Sequence, residues 1–388
     1  MRQVLEGSHA ISEAVRLARV QVTAGYPITP QTHIIEAISE HFADGTMTGR
    51  FIPVESEHSS MAAVVGAATT GVRTFTATSS HGLALMHEIL FIASSVRMPI
   101  VMLVANRAVS APINIWADHS DIMPERDTGW VQIFAENGQE VYDLTLMAFK
   151  IAEDKRVLLP TMVNMDGFTL SHVIEPVVML DQAEVDGLLP PFEAARMLDP
   201  EKPHTIGPFG DGTVYTEVKM AQDAALAAAA GVFDEVTAEF AQKFGNQYQA
   251  IETYQCDDAE TIIISMGSVG ETARSAVDEM RAGGQKVGQL SIRLWRPFPL
   301  ARFKEAVAGA QNLAILDRHL IPGCQGGPIG LEARSAFYQD QNGPCIFDFV
   351  AGLGGRELSR ATFKEIVRQA ATGEPQKNNH TFLDVRLS

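Results

Sequence analysis

The chain has 388 residues, 46% hydrophobic and 20% charged, an ordinary globular composition with length for two or three domains at about 150 residues each. Lys and Arg total 30 against 47 Asp and Glu, a formal net charge of −17, so nucleic acid and anionic membranes, which need a basic footprint, are excluded as main partners. No stretch approaches the ~20 apolar residues of a bilayer span, the start lacks the basic and apolar regions of a signal peptide, and the expected location is cytoplasmic. The three cysteines, Cys256, Cys324 and Cys345, are widely spaced and form no C-x-x-C pair. They read as reduced thiols, with no evident iron–sulfur or structural zinc motif in this chain.

The first half alternates helical and extended patterns, the signature of a parallel sheet covered by helices. Ala10, Ile11, Ala14, Val15, Leu17 and Ala18 recur at helical spacing, and residues 20–24 read as a short strand. The turn Gly25-Tyr26-Pro27-Ile28-Thr29-Pro30 follows, then a helix around Ile34, Ile35 and Ile38. A second strand, 51–54, runs directly into Glu55-Ser56-Glu57-His58 and a small-residue helix over 59–70. A third strand, 73–77, ends in Thr78-Ser79-Ser80-His81-Gly82 ahead of a Leu/Met-rich helix. The fourth, 99–105, is a nearly continuous apolar run, as expected when both faces are covered, and ends at Asn106-Arg107. Residues 108–130 form a long polar connection, and 157–165 give one more buried strand.

Residues 190–214 are rich in Pro and Gly, and the Ala-rich stretch 221–230 reads as a linker helix. A second alternating block has strands at 261–265, 287–292, 313–317 and 345–350, and a last helix at 362–371. The tail from Gly373 is polar and reads as loosely held. The chain thus reads as two α/β domains without an internal repeat.

Ligands of open parallel sheets sit outside the carboxyl ends of the strands. Four successive strands deliver Thr29, Glu57, Ser79 to Gly82, and Arg107 to that edge. One carboxylate, one guanidinium and several hydroxyls suit a small anionic substrate beside a group that needs a carboxylic acid partner.

The segments Gly25-Tyr26-Pro27-Ile28-Thr29-Pro30, Val54-Glu55-Ser56-Glu57-His58, Thr76-Ala77-Thr78-Ser79-Ser80-His81-Gly82-Leu83 and Asp118-His119-Ser120-Asp121 resemble the alpha subunit of the 2-oxoacid:ferredoxin oxidoreductases, most closely the pyruvate branch, pyruvate synthase. Ser265-Met266-Gly267-Ser268 and Arg293-Leu294-Trp295-Arg296-Pro297-Phe298 carry the resemblance into the second block. It implies a thiamine diphosphate-type pyrimidine-binding domain with a linker helix over residues 1–235 and a smaller transketolase C-terminal-like domain over 255–388. It also implies an active site shared between subunits. A beta subunit would hold the diphosphate and magnesium, while gamma and delta modules bind coenzyme A and carry iron–sulfur clusters that pass electrons to ferredoxin. The implied reaction is oxidative decarboxylation of pyruvate with coenzyme A, or its reverse.

Glu57 matches the family's carboxyl that hydrogen-bonds the cofactor's aminopyrimidine; the alternative is a helix-capping or surface glutamate. Arg107 matches the substrate-binding arginine. A planar guanidinium fork suits a carboxylate, and the alternative is a salt bridge to the acidic loop of Asp118, Asp121 and Asp127. Thr29, between two prolines, matches a hydroxyl that bonds the substrate carboxylate or carbonyl, against a purely turn-stabilising role. An oxalate-specialised relative is expected to carry a larger cation there, so the threonine favours pyruvate or a near homologue. Glu55, Ser79, His81, Asp118, His119 and Arg126 either line the crevice or belong to a polar subunit interface.

Other motifs lead elsewhere. Gly210-Asp211-Gly212 lacks the apolar strand and spaced asparagine of a thiamine diphosphate magnesium motif and reads as a turn. His87-Glu88 has Phe91 where a zinc protease has its second histidine, and no G-x-S-x-G elbow occurs. Gly323, Gly326, Gly327 and Gly330 read as a close-packing turn rather than a phosphate cradle. The rival readings are a 2-oxoglutarate or branched-chain oxoacid homologue and a noncatalytic assembly or regulatory subunit.

Overall fold

A computed structural model describes residues 1–194, 196–373, 376 and 379–386. The first block runs through β1 (Arg2–Glu6), α1 (Gly7–Leu17), β2 (Val22–Gly25), α2 (Thr32–Ala43), β3 (Arg50–Pro53), α3 (Glu57–Ala68), β4 (Thr74–Thr78), α4 (Ser80–Ser95) and β5 (Val101–Asn106). A long connection containing a 3-10 turn (Met123–Asp127) leads to β6 (Val131–Phe134), α5 (Gly138–Glu153) and β7 (Thr161–Asp166). Then come β8 (Ile174–Val178), α6 (Gln182–Leu188) and α7 (Tyr215–Phe244). The second block comprises β9 (Ile251–Tyr254), β10 (Thr261–Ser265), α8 (Val269–Ala282), β11 (Val287–Ile292), β12 (Leu294–Arg296), α9 (Leu300–Ala306), β13 (Asn312–Asp317), α10 (Pro328–Phe337), β14 (Cys345–Val350), a 3-10 turn (Leu353–Gly355), α11 (Arg360–Ala370) and β15 (Thr381–Phe382).

The seven-stranded first sheet has the order β12-β6-β7-β5-β4-β2-β3. All its pairs are parallel except β12 with β6, where Leu294 and Arg296 face Ile133 and Gln132. The central strand, β5, is buried at all six positions, as its unbroken apolar run requires. The six-stranded second sheet, β15-β14-β13-β10-β11-β9, is parallel apart from β9. β1 and β8 form a separate antiparallel ribbon. One apolar core packs α1, α2, α5 and α7 against one face of the first sheet. A second runs without interruption from Met61, Leu83 and Met86 of α3 and α4 through Trp130 and Trp295 to Ile262 and Leu290 of the second sheet. The two blocks therefore share a core.

Three differences from the sequence reading have physical causes. β6 is only four residues long, and α5 is buried on nearly every side, so neither leaves an amphipathic period between residues 130 and 157. The linker helix extends to 30 residues, ending where Gly245 turns left-handed at φ 89°. The polar tail is held at several points: Thr381 and Phe382 pair with Phe349 and Val350, the Gln376 amide bonds the Asp348 backbone, and Asp384 accepts from Thr362; residues 374, 375, 377, 378, 387 and 388 lie outside the described residues.

The glycine turn before α10 packs against two buried carboxyls. Asp317 accepts the N–H groups of Ile329 and Gly330 at 3.0 and 2.9 Å, and Asp348 accepts that of Gly327 at 2.8 Å. Side chains at Gly326, Gly327 or Gly330 would collide with these carboxyls. No helix among the described residues is long and apolar enough to cross a membrane.

Candidate active site

Glu57 is the first residue of α3, fixed there because the Ser56 hydroxyl caps the helix by accepting the Ser59 N–H at 3.2 Å. The Glu57 side chain turns inward, 7% exposed, and its carboxylate has no hydrogen-bond partner among the described residues. It lies against Gly82 in the first turn of α4. A Cβ at that position would come within 2.7 Å of Glu57 Oε1 and collide with Thr78 Oγ1. The hydroxyls of Thr78 and Ser79 are also buried without a partner. The two buried hydroxyls left unsatisfied cost free energy unless a polar ligand meets them, and the unpartnered Glu57 carboxylate beside them is only slightly exposed. This donor and acceptor set fits an aminopyrimidine ring.

Arg107 follows β5 directly and is 8% exposed. Its Nε donates to the Asn114 carbonyl at 2.8 Å and its Nη1 to the Thr29 carbonyl at 2.9 Å, while Nη2 bonds nothing among the described residues. Burial lowers the guanidinium's pKa and the nearby Asp121 opposes that shift; the group stays charged at any physiological pH. The salt-bridge alternative is not what forms. Asp118 is taken by Ser120 and Gly354, Asp127 lies 3.9 Å from Arg126, and Asp121 accepts the Arg107 backbone N–H rather than its side chain. Thr29 is exposed, and it is its carbonyl, not its hydroxyl, that is engaged. The turn is tied to β4 by Gln31, whose amide donates to the Ala77 carbonyl at 2.6 Å and accepts from the Ile28 N–H.

Asp121 joins these pieces. One oxygen accepts the backbone N–H groups of Ser80 and Arg107 at 3.0 and 2.9 Å, and the other accepts from Asn106 and from the Ile122 N–H. Burial, helped by the Asp118 charge, pushes its pKa up to about 7 against the donors Arg107, Ser80 and Asn106. Ser80 sits at φ 48°, an unusual backbone for a residue with a Cβ, and is held there by Asp121 and by its hydroxyl on the Ala108 carbonyl at 2.7 Å.

The six residues left open by sequence divide. Ser79 and His81 belong to this edge, His81 accepting the Ser110 N–H at 3.1 Å. Glu55 is exposed and accepts from Ser59, which lowers its pKa. Asp118 and His119 lie in the seam between the blocks. His119, its pKa lowered by burial, contacts Asp166, which also receives Arg318 at 2.6 Å and Ser268. Arg126 lies in the 3-10 turn and donates to the Met123 carbonyl. Sequence reasoning missed Gly82 as a packing partner of Glu57, Asn114 and Gln31 as anchors, and Asp121 as a hub. A glycine in the first turn of an otherwise Leu/Met-rich helix was the one available signal.

Two family models match the chain: the pyruvate flavodoxin/ferredoxin oxidoreductase, thiamine diphosphate-binding family over residues 13–238, and pyruvate:ferredoxin oxidoreductase core domain II over 259–363. Pyruvate synthase subunit PorA of Methanothermobacter thermautotrophicus is 45% identical over 96% of this chain and 96% of its own. Ketoisovalerate oxidoreductase subunit VorA of Pyrococcus abyssi is 44% identical over 94% of this chain and 92% of its own. Among solved structures, the 2-oxoglutarate:ferredoxin oxidoreductase of Magnetococcus marinus, with 2-oxoglutarate, coenzyme A and succinyl-CoA bound, shares the fold with a TM-score of 0.71 at 18% identity. That match covers 95% of this chain, which spans only 65% of the other. With family models over most of its length and near full-length relatives at about 45% identity, the chain belongs to the pyruvate flavodoxin/ferredoxin oxidoreductase family.

Proposed function

We propose that this chain is the alpha subunit of a thiamine diphosphate-dependent pyruvate:ferredoxin oxidoreductase, which oxidatively decarboxylates pyruvate with coenzyme A or runs the reverse reaction. The observation that carries the reading is Glu57, a nearly buried carboxylate without a protein partner beside two unsatisfied hydroxyls. When bound, thiamine diphosphate supplies the carbon nucleophile and electron sink that oxoacid decarboxylation requires. Glu57 would hold that cofactor by a hydrogen bond to its aminopyrimidine ring, a carboxyl contact that would make the ring's amino group a better base. Thr78 and Ser79 offer hydroxyls to the same ring. Arg107, its Nη2 uncommitted and its guanidinium bonded to no carboxylate among the described residues, binds the oxoacid carboxylate, and the exposed Thr29 hydroxyl bonds its carboxylate or carbonyl.

A second subunit completes the site in this reading, holding the diphosphate and magnesium. The helices that carry Glu57 and follow Ser79 are apolar on their outer faces too: Ala62 and Gly66 of α3 and Leu85, Phe91 and Ile92 of α4 are exposed. An apolar face beside a catalytic edge suits a subunit contact. Further subunits or modules bind coenzyme A and carry the iron–sulfur clusters that reduce ferredoxin.

The test is Glu57→Gln in the assembled complex, assayed by pyruvate- and CoA-dependent viologen dye reduction. Turnover is expected to fall by at least about a hundredfold. Wild-type turnover would overturn the cofactor role and promote the assembly-subunit reading. Ranking pyruvate against 2-oxoisovalerate and 2-oxoglutarate on the same sample decides the substrate, since the relatives include a ketoisovalerate enzyme.

A further inference from the structure

Between Arg107 and the 3-10 turn at Met123 the chain has no helix or strand, and Ala111, Pro112 and Ile113 are exposed. Such a segment would drift unless tied down, yet it supplies the Asn114 carbonyl that holds Arg107 Nε. Its first residues are tied to the first block, Ala108 by Ser80 and Ser110 by His81, while the ties at and after Asn114 come largely from the second block. The Asn114 amide donates to the Gly354 carbonyl at 3.1 Å, and its Oδ1 accepts the Trp116 N–H at 2.7 Å. In return, the Gly354 N–H donates to Asp118 and the Gly355 N–H to the Ala117 carbonyl, both at 2.9 Å. Arg318 adds a bond to the same Ala117 carbonyl at 3.0 Å.

Glycine is required for this approach. Gly354 and Gly355 have φ of 58° and 76°, which residues with a Cβ rarely adopt. A Cβ on Gly354 would lie 2.5 Å from Asn114 Nδ2, and one on Gly355 would collide with Trp116 Cβ. The turn thus closes on the loop at the residue whose carbonyl orients the guanidinium. Arg107 is anchored by two neutral carbonyls and by no carboxylate, so its charge stays available while its direction depends on where those carbonyls are held.

We propose that Asn114 and the Gly354–Gly355 turn are positioning residues for Arg107, so that the second α/β block sets oxoacid affinity from across the seam. The proposal rests on the substrate-binding role read for Arg107 above. It is tested in the assembled complex with Asn114→Ala, Gly355→Ala, Arg107→Ala and the Asn114→Ala/Arg107→Ala pair, measuring kcat and the KM for pyruvate and for coenzyme A. Asn114→Ala keeps the backbone carbonyl and loses the side-chain bonds to Gly354 and Trp116. It is expected to raise the pyruvate KM about three- to tenfold, the size of one or two lost hydrogen bonds, with the coenzyme A KM unchanged. Gly355→Ala should do the same, and if that chain does not assemble, Asn114→Ala decides alone. In the double variant the pyruvate KM should equal that of Arg107→Ala, because the tether has nothing left to position. A raised KM in Arg107→Ala with a wild-type KM in Asn114→Ala, or full multiplication of the two effects, overturns the proposal and leaves the role of Arg107 standing. A wild-type pyruvate KM in Arg107→Ala overturns that role and the positioning claim with it.

Discussion

Glu57 and Gly82 meet across the turns that end β3 and β4, and their contact leaves no room for a methyl group. Gly82→Ala therefore tests the site without removing any polar atom. Alanine favours a helix over glycine by about 1 kcal/mol, which offsets much of the overpacking, so α4 should survive. The new Cβ displaces the Thr78 hydroxyl and the Glu57 carboxylate, and an ångström of misplacement there is expected to lower kcat about a hundredfold. Purified complex of normal composition and thermal midpoint but wild-type kcat would show that Glu57 tolerates the shift. The placement of Thr29, Glu57 and Arg107 at the sheet edge was legible because Arg107 follows a strand directly and Thr29 and Glu57 lie within one short turn of theirs. Asn114 and Gln31 were not, since an amide that anchors a carbonyl has no spacing to give it away.

At the scale of the elements, α10 is held at its amino end by Asp317 and Asp348. Burial raises both pKa values, Asp317 well above the usual carboxylate range because the neighbouring Asp348 also opposes its ionisation, whereas at Asp348 the Gly327 N–H and the hydrogen bond with Asp317 work against the rise. The native pair keeps a proton that the unfolded chain has already lost. A raised folded pKa gives stability that is complete below the unfolded pKa and declines as pH rises through the folded one, so this part of the fold weakens towards alkaline pH. Asp348→Asn leaves an oxygen for the Gly327 N–H and offers an amide hydrogen to Asp317 in place of the shared proton. The variant should lose less stability than the parent as pH rises above the usual carboxylate range, measured by denaturant midpoints across a pH series. Parallel slopes for the two chains would refute the shared proton. The glycine turn itself was readable as close packing. Its cause was not, because Asp317 and Asp348 sit on strands β13 and β14 and meet only once those strands pair. Long-range pairing also hid the role of β12, whose three residues look like the end of a strand in the second block.

Across the whole molecule the blocks are joined by the core that continues from α3 and α4 into the second sheet and by the buried ion pair of Asp166 with Arg318. Burial alone would raise the Asp166 pKa, but Arg318, His119 and Ser268 hold it well below the usual carboxylate range. A depressed folded pKa contributes stability above the unfolded pKa that is lost on acidification. Arg318→Met should destabilise the chain by about 3–5 kcal/mol, because it strands a buried carboxylate. Adding Asp166→Asn should recover part of that loss, which a double-mutant cycle on thermal or denaturant midpoints checks. Strictly additive losses would mean that the two groups act independently.

The pairing of β12 with β6 also orders events during synthesis. When the ribosome has released everything up to Phe244, the outer edge of β6 is still an open row of backbone donors and acceptors. Only when Leu294–Arg296 emerges is that edge covered, by a strand short and irregular enough to offer little template of its own. The nascent first block therefore passes through an interval in which it is nearly complete yet prone to pairing with a neighbouring chain, and chaperone protection would matter most in that interval.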